Sequence, residues 1–411
     1  MVNTEEKHLN LSKFNNLIDD LEQMIKDQKF DVRKLTKQIK VIKKQVKSTE
    51  ITKNELFPLS NDFIHPFNSL LSIGSCDIVH DKSTNSHDVF FSTNGSLFYC
   101  FKKLELWNIN RITSSHGDIS AIFEHNRNHS AVFFVNVEGY LSYCYFDKKW
   151  KFDVFKNIGM ISGRISSVFE TNRFHSAVFC LTTDSLYYIY KENEIWKTES
   201  SIFKNYPCKG DISAVFHRKY SKSSVFYEGK DGYIHYWIMT NSNPIHKILL
   251  YSRPSGGIIK SIYNNSTSQF VLVYSDGDTG ELFYSDIKSE NNVKKICKKS
   301  KGDVDLCINM VSKNVEILFS SDDGISLFEL NQDGAKEIDH IDTRCGSPIS
   351  MSVFRNVKGE IERKIVFYSK EANGIIDYFN SKNELKREFI IKKSLFEQDD
   401  FIFFHGEFPK N

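Results

Sequence analysis

Short apolar runs separated by polar turns recur along most of this chain. In one copy, residues 210–237, apolar runs of strand length occupy 212–216 and 224–227, with polar residues between them. An Asp-Gly pair at 231–232 supplies the left-handed conformations of a tight hairpin, and an alternating run follows at 233–237. The pattern predicts three antiparallel strands joined by polar and glycine turns.

The same unit occurs seven times, as two independent markers indicate. The glycines that open the copies are Gly74, Gly117, Gly163, Gly210, Gly257, Gly302 and Gly346. The hairpin turns are Asn94-Gly95, Glu138-Gly139, Asp184-Ser185, Asp231-Gly232, Thr279-Gly280, Asp323-Gly324 and Asn373-Gly374. Because both series keep the same order and spacing, they predict seven structural repeats.

A fourth, weaker strand completes each predicted unit. Mixed apolar and charged segments at 148–155, 194–201, 245–251 and 385–393 suit exposed outer strands. Four antiparallel strands per repeat are typical of a β-propeller blade, whereas a solenoid is the structural alternative. The aromatic inner faces favour an all-β, seven-bladed β-propeller over residues 74–411, with blades starting near the opening glycines.

A different period, with apolar residues three and four positions apart, precedes the repeats. The apolar positions are Leu11, Phe14, Ile18, Leu21, Ile25, Val32, Leu35, Ile39, Ile42 and Val46, and Gln28 is the polar residue of the seam. This pattern predicts an N-terminal α-helical coiled coil over residues 9–50 that self-associates through residues 11–46 as a dimer or trimer. The alternative is one amphipathic helix lying on the propeller.

Two proline-containing or terminal segments are candidates for closing the ring of blades. Residues 51–73 contain Pro58 and Pro66 and form either a linker or a ring-closing strand. The aromatic segment 399–408 is the other candidate for that closure. The pattern leaves the choice between the two segments open.

Charge and hydropathy set few limits on location and partners. The 411 residues carry a formal net charge of +2, so no nucleic-acid partner is expected. Residues 33–47 are basic, and they are interpreted as a solvated helix flank because the charges surround the helix. The N-terminus lacks an apolar signal region and no apolar run has membrane-spanning length, which predicts a cytoplasmic protein, with unconventional secretion as the alternative.

No motif in the chain indicates catalysis, a metal or a cofactor. The eight cysteines form no CxxC pair, so free thiols are expected, with Cys100 and Cys144 as small buried residues. The acidic segments 276–281 and 320–327 have some features of a calcium loop and of an Asp-box, yet both coincide with predicted hairpin turns. The sequence therefore predicts a protein that is not an enzyme.

A polar and aromatic set recurs at fixed places in the repeats. The order ISAVF, a short polar loop, SAVFxxxxDGxLxYxY and then a tryptophan resembles the repeats of seven-bladed propeller lectins of the Photorhabdus type and, more distantly, of six-bladed fucose lectins. The resemblance extends from residue 74 to about residue 393. It implies sugar sites between neighbouring blades, each with an aromatic platform and polar side chains that bind hydroxyl groups.

The recurring polar and aromatic set supplies ten candidate ligand-binding residues for such sites: Glu124, Arg127, Tyr145, Trp150, Glu170, Arg173, Tyr190, Trp196, His217 and Trp237. The lectin repeats carry a tryptophan just after the first strand, where this chain has Glu124, Glu170 and His217. Packing between blades is the alternative role for the aromatic residues.

Two functions remain open from the sequence. The first is a lectin-like protein that binds glycans and becomes multivalent through its coiled coil. The second is an intracellular scaffold whose propeller face holds a protein partner. Repetition of the polar and aromatic set favours the lectin, whereas free cysteines and the missing secretion signal favour the scaffold.

Overall fold

The computed structural model describes residues 73–389 apart from short gaps. These gaps are 82–85, 94, 104–105, 184, 201–202, 204–206, 218–221, 240–243, 251, 288–292, 343–344, 356–360, 370–373 and 382–383. The predicted coiled coil over 9–50, the predicted linker up to residue 72 and the segment 399–408 lie outside the described residues. The coiled coil, the linker and the role of segment 399–408 in ring closure therefore stay predictions.

The described residues form 28 strands in seven four-stranded sheets, numbered here in chain order. Sheet 1 contains β1 Ile73–Asp81, β2 Ser86–Thr93, β3 Ser96–Lys103 and β4 Leu106–Thr113; sheet 2 contains β5 Ser115–Glu124, β6 His129–Asn136, β7 Leu141–Asp147 and β8 Lys149–Val154. Sheet 3 contains β9 Ile161–Glu170, β10 His175–Thr182, β11 Leu186–Glu192 and β12 Ile195–Glu199; sheet 4 contains β13 Cys208–His217, β14 Lys222–Gly229, β15 Ile234–Ile238 and β16 Ile245–Leu249. Sheet 5 contains β17 Ile259–Asn264, β18 Gln269–Ser275, β19 Glu281–Asp286 and β20 Val293–Lys299; sheet 6 contains β21 Val304–Ile308, β22 Val315–Ser321, β23 Gly324–Asn331 and β24 Gly334–Ile341. Sheet 7 contains β25 Cys345–Arg355, β26 Ile361–Ser369, β27 Gly374–Ser381 and β28 Glu384–Phe389. One turn of 3₁₀ helix, Lys156–Ile158, links sheets 2 and 3.

The sheets are arranged as a closed ring. Within each sheet the four strands pair antiparallel in chain order. The first strand of every sheet contacts the first strands of both neighbouring sheets, and contact between β25 and β1 completes the circuit. This is the arrangement of a β-propeller, and each predicted repeat corresponds to one sheet.

The core of the molecule is divided among the junctions between sheets. Each of seven buried apolar clusters joins two neighbouring sheets, and one of them joins Val366 of sheet 7 to Cys76 and Ile78 of sheet 1. Second strands lie between these clusters, so every residue of β10 and of β22 is buried. The outer strands β8 and β12 have no buried residue, as their mixed character predicts.

Side chains on the first strands add a ring of hydrogen bonds around the centre. At six of the seven junctions, a side-chain oxygen accepts a backbone N–H of the following sheet: Asp77 Oδ2 from Ala121 (2.7 Å), Ser120 from Ser167 (3.0 Å), Ser166 from Ala214 (2.9 Å), Ser213 from Ser261 (2.8 Å), Asp305 Oδ2 from Met351 (2.7 Å) and Ser350 from Ile78 (3.3 Å). Sheet 5 has Lys260 in this place, and an ammonium group cannot accept such a bond.

Lys260 instead places a positive charge among aspartate carboxyl groups of the neighbouring first strands. Burial opposes its charge, but the carboxyl groups of Asp303 and Asp305 outweigh that effect, so the pKa of Lys260 is raised. Burial also raises the pKa of Asp77 to about 7, with a smaller contribution from Asp305. The first strands are thus linked by charge as well as by hydrogen bonds.

The cysteines of the described part of the chain are free thiols where their side chains are described. Cys100 and Cys144 are fully buried on β3 and β7, as predicted for small core residues. Burial raises the pKa of both thiols. These cysteines act as apolar filling between sheets.

Candidate functional site

A buried glutamate stands at the end of the first strand in sheets 2 and 3. Glu170 accepts hydrogen bonds from His175 Nε2 (2.6 Å) and Tyr188 Oη (2.6 Å) of its own sheet. It also accepts one from Ser223 Oγ (2.5 Å), which lies on the second strand of sheet 4. The carboxylate therefore ties two neighbouring sheets together.

Glu124 makes the same set of contacts one repeat earlier. His129 Nε2 lies 2.9 Å from its carboxylate, and the hydroxyl groups of Tyr143 and Ser176 donate to it. Ser176 belongs to sheet 3, so this carboxylate ties sheet 2 to sheet 3. The pair Glu-x-x-x-x-His, with a tyrosine on the third strand and a serine on the next sheet, is thus a repeated structural feature.

Both glutamates are held in the ionised form. Burial on its own would raise their pKa, but the hydrogen bonds from histidine, serine and tyrosine outweigh it, and the pKa of Glu124 and of Glu170 is lowered. The tyrosine partners respond in the opposite sense, since burial and the adjacent carboxylates raise the pKa of Tyr143 and Tyr188.

The predicted arginines lie beside these glutamates, in the turn that follows the first strand. The guanidinium of Arg127 stacks on Tyr145, with 5.5 Å from Cζ to the ring centroid, and that of Arg173 stacks on Tyr190 at the same distance. Arg173 also donates to Glu192 at 2.8 Å. The structure thus brings together the predicted glutamate, arginine and tyrosine in each of the two sheets.

A cavity of about 340 Å³ lies between sheets 2 and 3. Glu124, Asn126 and Arg127 line it from sheet 2. Residues 173–176 and 191–194 line it from sheet 3. Its volume falls within the range of small-molecule sites. Three of the ten predicted residues, Glu124, Arg127 and Arg173, therefore border one cavity.

The charges on the cavity wall are paired with one another. Arg127 forms an ion pair with Glu194, which also lies 3.4 Å from Lys191 Nζ. Lys191 extends over the ring of Trp196, with its Nζ 5.3 Å from the ring centroid. Together with the contact between Arg173 and Glu192, these pairs leave the wall polar but nearly neutral.

The predicted aromatic platforms are largely occupied by the protein itself. His129 stacks on Tyr145 with ring centroids 4.7 Å apart and an interplanar angle of 15°. Tyr190 is buried and packs against Tyr188 and His175. Neither tyrosine presents both ring faces to a ligand.

The predicted tryptophans pack between sheets, which is the alternative role given by the sequence. Trp196 lies on the outer strand of sheet 3 and contacts Tyr143 and Phe155 of the preceding sheet and linker at 5.0 Å between ring centroids. Its Nε1 donates to Asp153 Oδ2 of sheet 2 at 2.9 Å. Trp150 packs in the same way against Tyr99 of sheet 1.

Trp237 and His217 also lie away from the cavity, at the junctions that follow sheets 3 and 4. Trp237 is buried on β15, where its Nε1 donates to Tyr227 Oη at 3.2 Å. His217 takes the place of the glutamate at the end of β13, and its buried ring packs on Tyr263 of sheet 5 at 4.1 Å between centroids.

One exposed aromatic residue of the cavity is absent from the sequence prediction. Phe174 follows Arg173 in the turn between β9 and β10, and 61% of its surface is exposed. Its backbone φ is +51°, in the left-handed region. The only sequence signal is a phenylalanine within the polar run Thr-Asn-Arg-Phe-His-Ser.

The described residues contain no group of three or more histidine, cysteine, aspartate or glutamate side chains placed to hold a metal ion. None of the helices in the described ranges has the length and hydropathy of a membrane span.

Sheet topology and ring closure define this chain as a member of the β-propeller class. No protein-family model matches the chain, and no curated protein sequence is similar to it. Among solved structures, an arginine-to-alanine triple mutant of AofleA from Arthrobotrys oligospora superposes with a TM-score of 0.51 at 12% identity, covering 79% of this chain and 88% of that one.

Two other solved propellers are more distant in shape. SapL1 lectin, solved with alpha methyl fucoside, gives a TM-score of 0.48 at 13% identity over 66% of this chain and 95% of its own. The six-bladed lectin of Aleuria aurantia, described as having a novel fucose recognition mode, gives 0.45 at 14% identity over 67% of this chain and 96% of its own. At these identities the likeness concerns the fold alone.

Proposed function

We propose that this chain is a carbohydrate-binding, lectin-like β-propeller that catalyses no reaction. The observation that carries the proposal is the cavity between sheets 2 and 3. Its volume of about 340 Å³ suits a small molecule, and both sheets supply hydrogen-bond donors and acceptors to its wall. Sugar hydroxyl groups need many polar partners in a fixed arrangement, and the wall supplies them. Arg127, Arg173 and Lys191 are the donors, while Glu192 and Glu194 are the acceptors.

Rigid support of the cavity wall is the second argument. The ionised Glu124 is fixed by Tyr143, His129 and Ser176, so the junction keeps its shape without a ligand. A preformed site loses less conformational entropy on binding than a flexible one. In this proposal Glu124 positions the wall, and Arg127 and Arg173 contact the sugar.

Multivalency through the N-terminal coiled coil completes the proposal. A single polar cavity binds a monosaccharide weakly, and linking two or three rings through residues 11–46 would raise avidity by about 10² to 10⁴. Retention on a multivalent glycan surface would then depend on the helix, whereas affinity for a free monosaccharide would not.

A glycan array and calorimetric titration test this function. Full-length protein should bind at least one immobilised glycan, and a shortened chain beginning near residue 55 should give a weaker array signal with unchanged monosaccharide affinity. Arg173→Ala should weaken binding about tenfold or more. Arg253→Ala is the matched control, because Arg253 also stacks on a tyrosine, Tyr233, but lies outside the cavity. Folded protein that binds no glycan contradicts the proposal.

A protein-interaction scaffold is the second candidate, and exposed apolar side chains on the outer strand of sheet 2 favour it. Phe152 and Val154 on β8 are each nearly half exposed. Outer strands of a propeller are open to pairing and to side-chain contact with another protein. A blank array together with specific capture of one protein, lost on Phe152→Ser, would support this second function.

A further inference from the structure

The turn after the first strand has one left-handed residue at the same place in each sheet where that turn is described. The residues are Asn128 (φ 56°), Phe174 (φ 51°), Ser268 (φ 53°) and Lys313 (φ 62°). Asparagine tolerates this conformation because its short side chain bonds locally, whereas a bulky aromatic residue there is a conformational outlier. The fold therefore accepts a polar residue at this place, and a phenylalanine is unfavourable for folding.

Core packing does not explain the phenylalanine, because 61% of Phe174 is exposed. It is the only apolar residue among the described residues that line the cavity between sheets 2 and 3. Its carbonyl group accepts a hydrogen bond from Asn126 Nδ2 of sheet 2 at 3.0 Å, which fixes the turn across the junction. Strained residues held by their surroundings are concentrated at functional sites.

The other residues of the wall determine which ligand suits this ring. The three basic side chains Arg127, Arg173 and Lys191 are matched by the carboxylates of Glu124, Glu192 and Glu194. An anionic ligand would have to displace these carboxylates or lie against them, since each basic group already has an acidic partner. A neutral ligand with hydroxyl groups can share the same donors and acceptors without that cost.

We infer that Phe174 is the stacking platform of this cavity and that its ligand is a neutral pyranose. The apolar C–H face of the sugar lies on the exposed ring, and the hydroxyl groups face the paired charges of the wall. This inference rests on the proposed carbohydrate function and adds to it a specificity residue and a ligand class. It also assigns a reason for an unfavourable backbone conformation.

Substitutions at Phe174 separate sugar binding from folding. Phe174→Asn removes the ring and restores a residue that suits φ 51°, so the midpoint of urea unfolding should stay the same or rise. Its affinity for neutral monosaccharides should nevertheless fall about tenfold or more. Phe174→Tyr keeps the aromatic face and should retain affinity within about threefold.

The experiment is calorimetric titration of the full-length protein with neutral hexoses, deoxyhexoses, sialic acid and glucuronic acid. Lys313→Asn, at the equivalent turn of sheet 6 and outside the cavity, is the matched control and should leave affinity unchanged. If Phe174→Asn binds as tightly as the natural protein while Arg173→Ala loses binding, the stacking role is overturned and the carbohydrate function stands. Tighter binding of acidic than of neutral sugars overturns the ligand class. Absence of binding to every sugar overturns both this inference and the proposed function.

Discussion

Replacement of Glu170 by alanine tests whether the buried glutamates hold the ring of sheets together. Glu170 is fully buried, and its carboxylate accepts from His175, Tyr188 and Ser223. It does not line the cavity itself but lies 3.6 Å from the guanidinium of Arg173, so its effect on folding is measured by unfolding the protein without ligand. Glu170→Ala would leave four buried donors without their acceptor, because the backbone N–H of Ser223 also donates to this carboxylate, at 3.1 Å.

The magnitude follows from the number and kind of those bonds. Each hydrogen bond to a charged group contributes about 1.5–3 kcal/mol, but the contributions of the four bonds cannot simply be added, because removing the carboxylate also removes its desolvation cost. Breaking a buried, fully bonded charge typically costs about 3–5 kcal/mol. We expect Glu170→Ala to lower the free energy of unfolding by about that amount. Glu170→Gln keeps one acceptor oxygen and should cost about 1–2 kcal/mol.

The effect should also depend on pH, with a definite sign. The pKa of Glu170 is lowered in the folded state, so its stabilising contribution is present above the ordinary value of 4.5 and is lost as the pH falls through the folded pKa. Urea unfolding followed by tryptophan fluorescence, at pH 7 and at pH values below 4.5, measures both quantities. The difference between the natural protein and Glu170→Ala should be largest at pH 7.

Glu138→Gln provides the control for this prediction. Glu138 lies in an exposed turn of sheet 2, where it pairs with Lys156 at 3.5 Å, and such a surface pair contributes little to stability. If Glu170→Ala unfolds at the same urea concentration as Glu138→Gln at pH 7, the carboxylate does not tie sheets 3 and 4 together. The reasoning would then be refuted for Glu124 as well.

Two further predictions concern other contacts between sheets. Burial raises the pKa of Asp77 to about 7 from 3.8, so the folded state retains a proton that the unfolded chain loses. This carboxyl group therefore destabilises the fold increasingly as the pH rises from 4 to 7. Asp77→Asn should raise the free energy of unfolding at pH 8 by at most about 4 kcal/mol, with no gain at pH 4. A gain that is independent of pH would contradict this assignment. Trp196→Ala should destabilise the protein by about 2–4 kcal/mol, since it removes the ring packed on Tyr143 and the hydrogen bond to Asp153. Trp196→Phe should cost less than half as much in the same urea assay. Equal stability of the two variants would show that the ring does not join the sheets.

The sheets could be predicted from the sequence because their signals are local. An apolar run, a glycine hairpin and an aromatic strand lie within one repeat, and they follow one another in the same order in each copy. Closure of the ring involves Val366 and Cys76, which are far apart in the chain and carry no local mark of their contact. The sequence accordingly left the closing segment open, whereas the structure shows direct contact between sheets 7 and 1.

The candidate site was less predictable because side-chain partners lie in different repeats. Glu124 is a residue type that often binds sugar hydroxyl groups, yet its carboxylate already accepts hydrogen bonds from Tyr143 and from Ser176 of the next sheet. Trp196 likewise packs on the preceding sheet. Phe174 was missed because neither its exposure nor its left-handed backbone can be read from residue type alone.

The contacts of Glu124 link the stability of the ring to the shape of the cavity. The carboxylate of Glu124 accepts a hydrogen bond from Ser176 across the junction and also forms part of the cavity wall beside Arg127. A change at Glu124 must therefore alter both the spacing of sheets 2 and 3 and the position of the guanidinium group. At Phe174 the two effects separate, because the ring is exposed and its removal relieves the backbone. Substitution at Glu124 should therefore lower both stability and affinity, whereas substitution at Phe174 should lower affinity alone. This difference distinguishes a residue that supports the cavity wall from a side chain that contacts the ligand.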